Sequence, residues 1–343
     1  MTGNRRGGAS VPPLRITCEI AGYPPVWLSG APLTFQAICE ELVRRGHEVT
    51  VVSGMDRSQT GTQNGATVCY ALPEDRALRV WLYERSDLVL TTNSVGWDTA
   101  QEMARKVGTP LAQHFPNRIP GRYAPRYHPD LAIFCSAYAQ QGTHHSWPSI
   151  VFHPPVDPER FQVIPGDRVS LVNLAEHKGG RMFQVLANRM PDVGFLGCRG
   201  VYGRQVIPSE RNVEVVGPVA DIREVYARTR VLLVPSERES FGRVALEAAA
   251  SGIPVLCSDL PGLREAMGER GTYLSPKDPD AWEHAIRRTL RDWKELSERS
   301  LRRSREMAPD YDRLEAALVS LTQGERSGRW QRESVSPTPR SEA

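Results

Sequence analysis

The stretch E-S-F-G-R-V-A-L-E, from Glu239 to Glu247, sets two carboxylates eight residues apart with a Phe-Gly pair between them. An ionised carboxylate only accepts hydrogen bonds, through two oxygens, so it cannot bind phosphate but can hold a vicinal diol. Gly242 lets a ligand come close to the backbone, and Ser240 is the expected cap of the helix that follows. The first turn of such a helix leaves N–H groups unpaired at the positive end of its dipole, which suits a phosphate without a dedicated cation. A diphosphate at the helix tip, flanked by two diol-binding carboxylates, describes a nucleotide diphosphate sugar. The competing reading is that Glu239 and Glu247 are solvated charges favoured near a helix start.

The strand VLLVPS (231–236), buried by composition, delivers this loop. Upstream, LRITCEI (14–20), HEVTVVSG (47–54), DLVLTT (87–92), TPLAQHF (109–115) and PDLAIFCS (129–136) read as strands. They alternate with helical stretches at 34–46 and 97–108, the rhythm of a parallel sheet covered by helices. VFHPPVDPERFQVIPGD (151–167) carries four prolines and no helical period, so it predicts an extended connector. The alternation then restarts with RVSLVNL, a helix over GRMFQVLANRM, VGFLG, NVEVVG, ADIREVYART, VLLVPS and IPVLCS, and amphipathic helices follow at about 278–295 and 311–323. The fold expected is α/β, with two Rossmann-like, doubly wound domains facing across a cleft, where ligands bind at the carboxyl ends of strands. The boundaries are a tail at 1–13, an N-terminal domain at 14–155, a C-terminal domain at 156–325 whose last helix can pack back on the first, and a tail at 326–343.

A net charge of +3 over 343 residues, with scattered basic side chains, gives no support to a nucleic-acid partner. No apolar run approaches the roughly 18 residues of a membrane span, and MTGNRRGGASVPP has no signal-peptide core, so the chain is expected in the cytoplasm. The six cysteines lie far apart, mostly inside apolar runs, and read as reduced core residues. G-C-R-G-V-Y-G (197–203) lacks the G-x-G-x-x-G spacing of a nicotinamide enzyme.

E-S-F-G-R-V-A-L-E-A, followed by A-S-G-I-P-V-L and S-D-L-P-G-L-R-E, resembles the E-x(7)-E signature of the retaining GT-B glycosyltransferases of family 4. GHEVTVVSG, VFHPPVDPERF, HKGG, VEVVGPVADIREVYARTRVLLVPS and DPDAWEHAI fall in that family's order, so the resemblance covers roughly residues 14–325. It implies that Glu247 binds the nucleotide ribose and that Glu239 contacts the transferred sugar. Ser240 and the backbone amides around Phe241, Gly242, Arg243 and Val244 would hold the diphosphate. Lys178 would neutralise the departing diphosphate. His114 resembles a histidine that faces the sugar, with a satisfied structural histidine as the alternative. The segment around Gly217 would hold the base through backbone groups.

Two positions depart from the pattern. Asn173 stands where the family usually carries an arginine, which leaves Arg181 or Arg243 to act with Lys178, or a weaker diphosphate site. The first β–α loop reads W-L-S-G-A-P, so Gly30 is present but its usual glycine neighbour is Ala31. No D-x-D stands in a plausible place, Asp278-Pro-Asp280 reads as a helix cap, and no metal or other cofactor is expected.

The activity implied is metal-independent transfer, with retention, of a sugar from a nucleotide diphosphate sugar to a small soluble acceptor, with UDP or GDP as the leading nucleotides. A double displacement wants carboxylates on both sides of the anomeric carbon. Glu239 and Glu247 instead approach from one helix end, which favours front-face substitution. Trp27, Trp97, Tyr123, Arg118, Arg122 and Arg126 offer a cationic acceptor pocket, with a solvated arginine loop as the competing reading. The rival functions are a sugar-nucleotide epimerase of the same fold and a nucleotide-binding relative without transfer activity.

Overall fold

Short apolar runs rich in Val, Leu and Ile form central strands buried on both faces, and the amphipathic helices between them return the chain so that the next strand lies parallel. The computed structural model describes residues 12–25, 27–54, 61–70, 75–92, 97–119, 128–201 and 203–324. Arg122, Tyr123, Arg126 and nearly all of both expected tails lie outside these residues, as does the side chain of Trp97.

The first sheet comprises β1 (Arg15–Ile20), β2 (Glu48–Ser53), β3 (Gly61–Gln63), β4 (Ala66–Tyr70), β5 (Leu88–Thr92), β6 (Leu111–Phe115), β7 (Leu131–Phe134) and β8 (Ser149–Val151). Its order is β3-β4-β2-β1-β5-β6-β7-β8, and only β3 runs antiparallel to its neighbour. Helices α1 (Gly30–Arg44), α2 (Arg76–Tyr83), α3 (Trp97–Val107) and α4 (Ala137–Gln141) connect these strands. The β3–β4 turn is Asn64-Gly65, both at positive φ (48° and 84°), the geometry that an Asn-Gly hairpin turn requires.

The second sheet has β9 (Arg168–Val172), β10 (Phe195–Cys198), β11 (Val213–Val216), β12 (Thr229–Val234), β13 (Val255–Ser258) and β14 (Thr272–Leu274). All are parallel, in the order β11-β10-β9-β12-β13-β14. This is the doubly wound order, which reverses direction between β9 and β12. Its helices are α5 (Gly180–Arg189), α6 (Arg223–Tyr226), α7 (Arg243–Ala250), α8 (Pro261–Met267) and α9 (Pro279–Arg291), followed by α10 (Trp293–Glu306) and α11 (Tyr311–Gly324). The single helix expected at about 278–295 is therefore α9, capped by Asp278, whose side chain accepts from the amide of Ala281, and a separate α10 follows.

Ile16, Cys18, Phe35, Ile38 and Leu90 form the core of the first sheet, and Leu314, Leu318 and Val319 of α11 complete it. Charge reinforces that docking: Arg45 reaches Glu315 at 2.5 Å and Asp312 at 2.7 Å. His47 accepts from the amide of Leu14 through Nδ1 at 3.1 Å, which leaves the proton on Nε2, 3.0 Å from Glu315. A further apolar cluster runs between the two units, with Phe115, Phe134 and Ala139 on one side and Phe241, Leu246 and Leu263 on the other. Glu265 of α8 crosses the same boundary, accepting from the amides of Ala137 and Tyr138 at 2.7 and 3.0 Å and from Nε2 of His153 at 2.7 Å. Burial alone would raise the Glu265 carboxyl, but His153 and the two amides outweigh it and hold the group below its ordinary range.

Candidate active site

The site forms where the order of the second sheet reverses, between the carboxyl ends of β9 and β12. After β12 the chain runs through Ser236 and Glu239 and enters α7 at Gly242, which has φ 96°. Only glycine adopts that conformation without steric cost, and a Cβ there would lie 2.4 Å from Cδ2 of Leu263. Gly242 is thus the cap of α7, and the expectation for Ser240 is corrected. The left-handed turn brings the chain into the helix without a hydrogen bond from the cap residue's side chain to the first amides. Ser240 instead faces the other domain, its Oγ 3.4 Å from the amide of Arg118 and its carbonyl accepting from Oγ of Ser136 at 2.7 Å.

After β9, HKGG turns sharply. Gly179 has φ 92°, and a Cβ on it would collide with Pro235 at 2.3 Å, while one on Gly180 would meet the carbonyl oxygen of Leu174 at 2.3 Å. Both glycines are therefore needed for this turn to lie against the end of β12, and the amide of Glu237 donates to the carbonyl of His177 at 3.0 Å across it. Nζ of Lys178 consequently sits 2.5 Å from Oε1 of Glu239, which also accepts from Ser236 at 3.1 Å.

Glu247, one turn into α7, is only 4% exposed. Its Oε2 accepts from the hydroxyl of Tyr226 at 2.8 Å, and its Oε1 lies 2.7 Å from Nε of Arg243. Burial first, and then the neighbouring carboxylate, push the Tyr226 phenol far above its ordinary range, so it stays a donor. Tyr226, Ser236 and Gly262 were not singled out in the sequence. A Cβ on Gly262 would lie 2.6 Å from the carbonyl oxygens of Glu239 and Ser240, so α8 packs directly under the loop.

A cleft of about 590 Å³ opens over these groups. Glu239, Lys178, Glu247, Ser240, Phe241, Gly242, Arg243, Val244 and Asn173 line it from the second domain, and Gly30 and His114 line it from the first. Gly217 is not on its wall; the adjacent Pro218, Val219, Ala220 and Asp221 are. His114 is fully buried, and burial lowers its imidazole to about 4, so it is neutral near pH 7. Its Nδ1 lies 3.4 Å from Oγ1 of Thr92, and its Nε2 is buried with no hydrogen-bond partner among the described residues. Asn173 adopts a left-handed conformation (φ 72°), and its Oδ1 accepts from the amide of Ala175 at 3.0 Å. It shapes the turn and carries no charge. Arg181 pairs with Glu176 at the surface, away from the cleft. Of the expected acceptor pocket, Trp27 bonds Ser29 at 3.1 Å and Arg118 donates to the carbonyl of Gly142 at 2.7 Å, and neither lines the cleft.

Two doubly wound sheets facing across this cleft define the GT-B architecture of glycosyltransferases. Residues 200–292 match the family model described as Glycosyl transferases group 1, so at that level the resemblance read from the sequence holds. The O-antigen chain mannosyltransferase B of Escherichia coli is 38% identical over 82 residues, 23% of this chain and 22% of that protein. The D-inositol 3-phosphate glycosyltransferase of Corynebacterium urealyticum is 39% identical over 77 residues, 22% of this chain and 18% of that protein. The chain thus matches only about a fifth of the length of these curated relatives. Among solved structures, HepE of Anabaena in complex with UDP and glucose superposes with a TM-score of 0.72 at 17% identity, covering 92% of this chain and 98% of that one. Sucrose-phosphate synthase of Thermosynechococcus elongatus gives 0.67 at 16% identity, covering 91% and 98%. Among the described residues no helix is long and apolar enough to cross a membrane.

Proposed function

We propose that this protein is a glycosyltransferase of the retaining, E-x(7)-E type that moves a sugar from a nucleotide diphosphate sugar, UDP- or GDP-linked, to a small soluble acceptor in the cytoplasm. The observation that carries the reading is the convergence of Lys178, Glu239, Glu247 and the uncapped start of α7 on one cleft wall. The amides after Gly242 and the ammonium of Lys178 face the place where negative charge grows as the nucleotide departs, which is where fixed charge lowers a barrier most. Glu239 keeps Oε2 for a sugar hydroxyl. Glu247, held by Tyr226, presents an acceptor to the ribose diol. The UDP named with HepE is consistent with such a donor.

Both carboxylates approach from one end of α7 and stand beside cations, an arrangement suited to binding hydroxyls rather than to attack behind the anomeric carbon. Front-face substitution follows, with the departing phosphate taking the acceptor's proton. The helix amides and cationic side chains on the cleft wall, Lys178 first among them, supply the charge that a metal would otherwise bring, so no metal is required.

The test is incubation of the purified protein with UDP-, GDP-, dTDP- and ADP-sugars, with and without an acceptor panel and EDTA. Nucleotide diphosphate release with retained anomeric configuration, unaffected by EDTA, is the expected result. Isomerisation of the donor alone would replace transfer with epimerisation, and a strict manganese requirement would overturn the metal-free site.

A further inference from the structure

We propose that Arg243 supplies the second positive charge for the donor's diphosphate and, in doing so, ties the start of α7 to the start of α1 across the cleft. This rests on the donor reading above.

A diphosphate at the α7 terminus carries more negative charge than the roughly half unit of a helix dipole and one lysine can balance. Asn173 adds none, since its carboxamide is uncharged, and its Oδ1 is committed to its own turn. Of the other arginines on the cleft wall, Arg160 pairs with Glu40 at 3.6 Å, Arg223 grips Asp221 at 2.5 Å, and Arg199 is exposed at the end of β10 beside Gly217. Arg243 differs from all three in being largely shielded from solvent. Its Nε lies 2.7 Å from Oε1 of Glu247 in a shielded ion pair but is not aligned to bond it, so among the described residues that N–H has charge compensation without a hydrogen bond. A donor in that state forfeits its hydrogen-bond energy, which a well-placed arriving acceptor restores. Glu247 does not depend on Arg243 for its orientation, because Tyr226 holds the other oxygen.

The guanidinium also points to where a phosphate would lie. Arg243 is the first residue of α7, only 13% exposed in its side chain, and its Nη1 is 3.5 Å from Oγ1 of Thr34 in the opening turns of α1. Ser29, the cap of α1, makes no side-chain bond to that helix. Arg243 therefore stands between two uncapped helix starts, one from each domain. Its planar fork of donors matches two phosphate oxygens at once, which an ammonium cannot do. When the donor enters, the fork turns from Glu247 to the phosphate, and Glu247 is left to accept the ribose hydroxyls.

Calorimetric titration of uridine, UMP and UDP tests this, with the guanosine and adenosine series run in parallel and the series that wild type binds carried forward. Arg243→Gln is expected to weaken the diphosphate by about 10- to 100-fold while changing the nucleoside by less than about 3-fold. Arg181→Gln and Arg199→Gln should leave that selectivity intact. Should Arg243→Gln not fold, Arg243→Lys answers the same question, with an expected loss of about 3- to 10-fold confined to the diphosphate. Equal loss for nucleoside and diphosphate makes Arg243 a structural clip and overturns the proposal, as does selectivity lost in Arg199→Gln but kept in Arg243→Gln. Failure of folded wild type to bind any of the three diphosphates instead overturns the donor reading itself.

Discussion

Nζ of Lys178 and Oε1 of Glu239 lie 2.5 Å apart, joining the turn after β9 to the loop after β12. Both side chains are mostly shielded, at 25% and 13% exposure, so the contact is less screened than a surface ion pair. The pair sets both groups in place before any ligand arrives and cancels their charges in an otherwise open cleft.

Removing either partner should therefore damage turnover more than stability. Lys178→Ala is expected to lower kcat by about 10²- to 10³-fold, the scale of losing one charge-stabilising donor in a transition state. Glu239→Gln should lower kcat on the same order, and the double variant should lose less than the product of the two. Steady-state kinetics with a cognate donor checks this, and near-normal turnover in both single variants would remove the assigned roles.

Tyr226→Phe deletes the hydroxyl that orients Glu247 and nothing else. A hydrogen bond to a charged group contributes about 1.5–3 kcal/mol, so the donor KM should rise by about tenfold or more with kcat changed less. Urea unfolding should show a loss of similar size, because Glu247 stays buried with one partner fewer. An unchanged KM would mean that Glu247 does not touch the donor.

Gly242→Ala confronts two obstacles, the positive φ of 96° and the 2.4 Å approach to Leu263. The backbone term alone costs about 1–2 kcal/mol, and relieving the collision shifts the first turn of α7. Thermal melting should fall by several degrees, and nucleotide binding should be lost. Gly217→Ala, whose Cβ would come no closer than 3.4 Å to Arg199, serves as the tolerant comparison.

The pH dependence of stability follows from His114. Its folded value of about 4 lies below the ordinary 6.5, so the unfolded chain binds a proton that the folded chain does not. Stability from this group is thus flat above pH 6.5 and declines as pH falls from there to about 4, by on the order of 3 kcal/mol in total. Urea titrations at pH 7 and pH 5 should show the slope, and His114→Asn should flatten it. A wild-type curve with no difference from His114→Asn over that window would contradict the buried neutral imidazole.

The strands were legible because parallel strands buried on both faces are written as unbroken apolar runs, VLLVPS above all. The motif residues were legible for a related reason: Glu239, Gly242 and Glu247 are local in sequence, and HKGG needs both glycines for one turn. Other features left weaker traces. α10 buries Ser297, Ser300 and Ser304 against the alanine-rich α7, so serines hold the most buried positions of its inward face and Leu301 beside them gives only a weak apolar mark. The β3–β4 hairpin carries an Asn-Gly signal, but its strands are too short to show alternation. Tyr226 sits in a four-residue helix 21 positions before the carboxylate it orients, and nothing local links them. Ser240 looked like a cap by type, whereas the left-handed glycine two residues later made a cap unnecessary.

The return of α11 to the first sheet has a consequence for biosynthesis. A ribosome releases residues 14–155 long before Leu314, Leu318 and Val319, the side chains that finish covering Ile16, Phe35 and Leu90. The N-terminal sheet must wait, partly bare, until residues 311–324 have been made, and bare apolar surface of that kind invites chaperones or aggregation. Ribosomes stalled before codon 311 should accordingly carry a protease-sensitive first half that becomes resistant once α11 emerges.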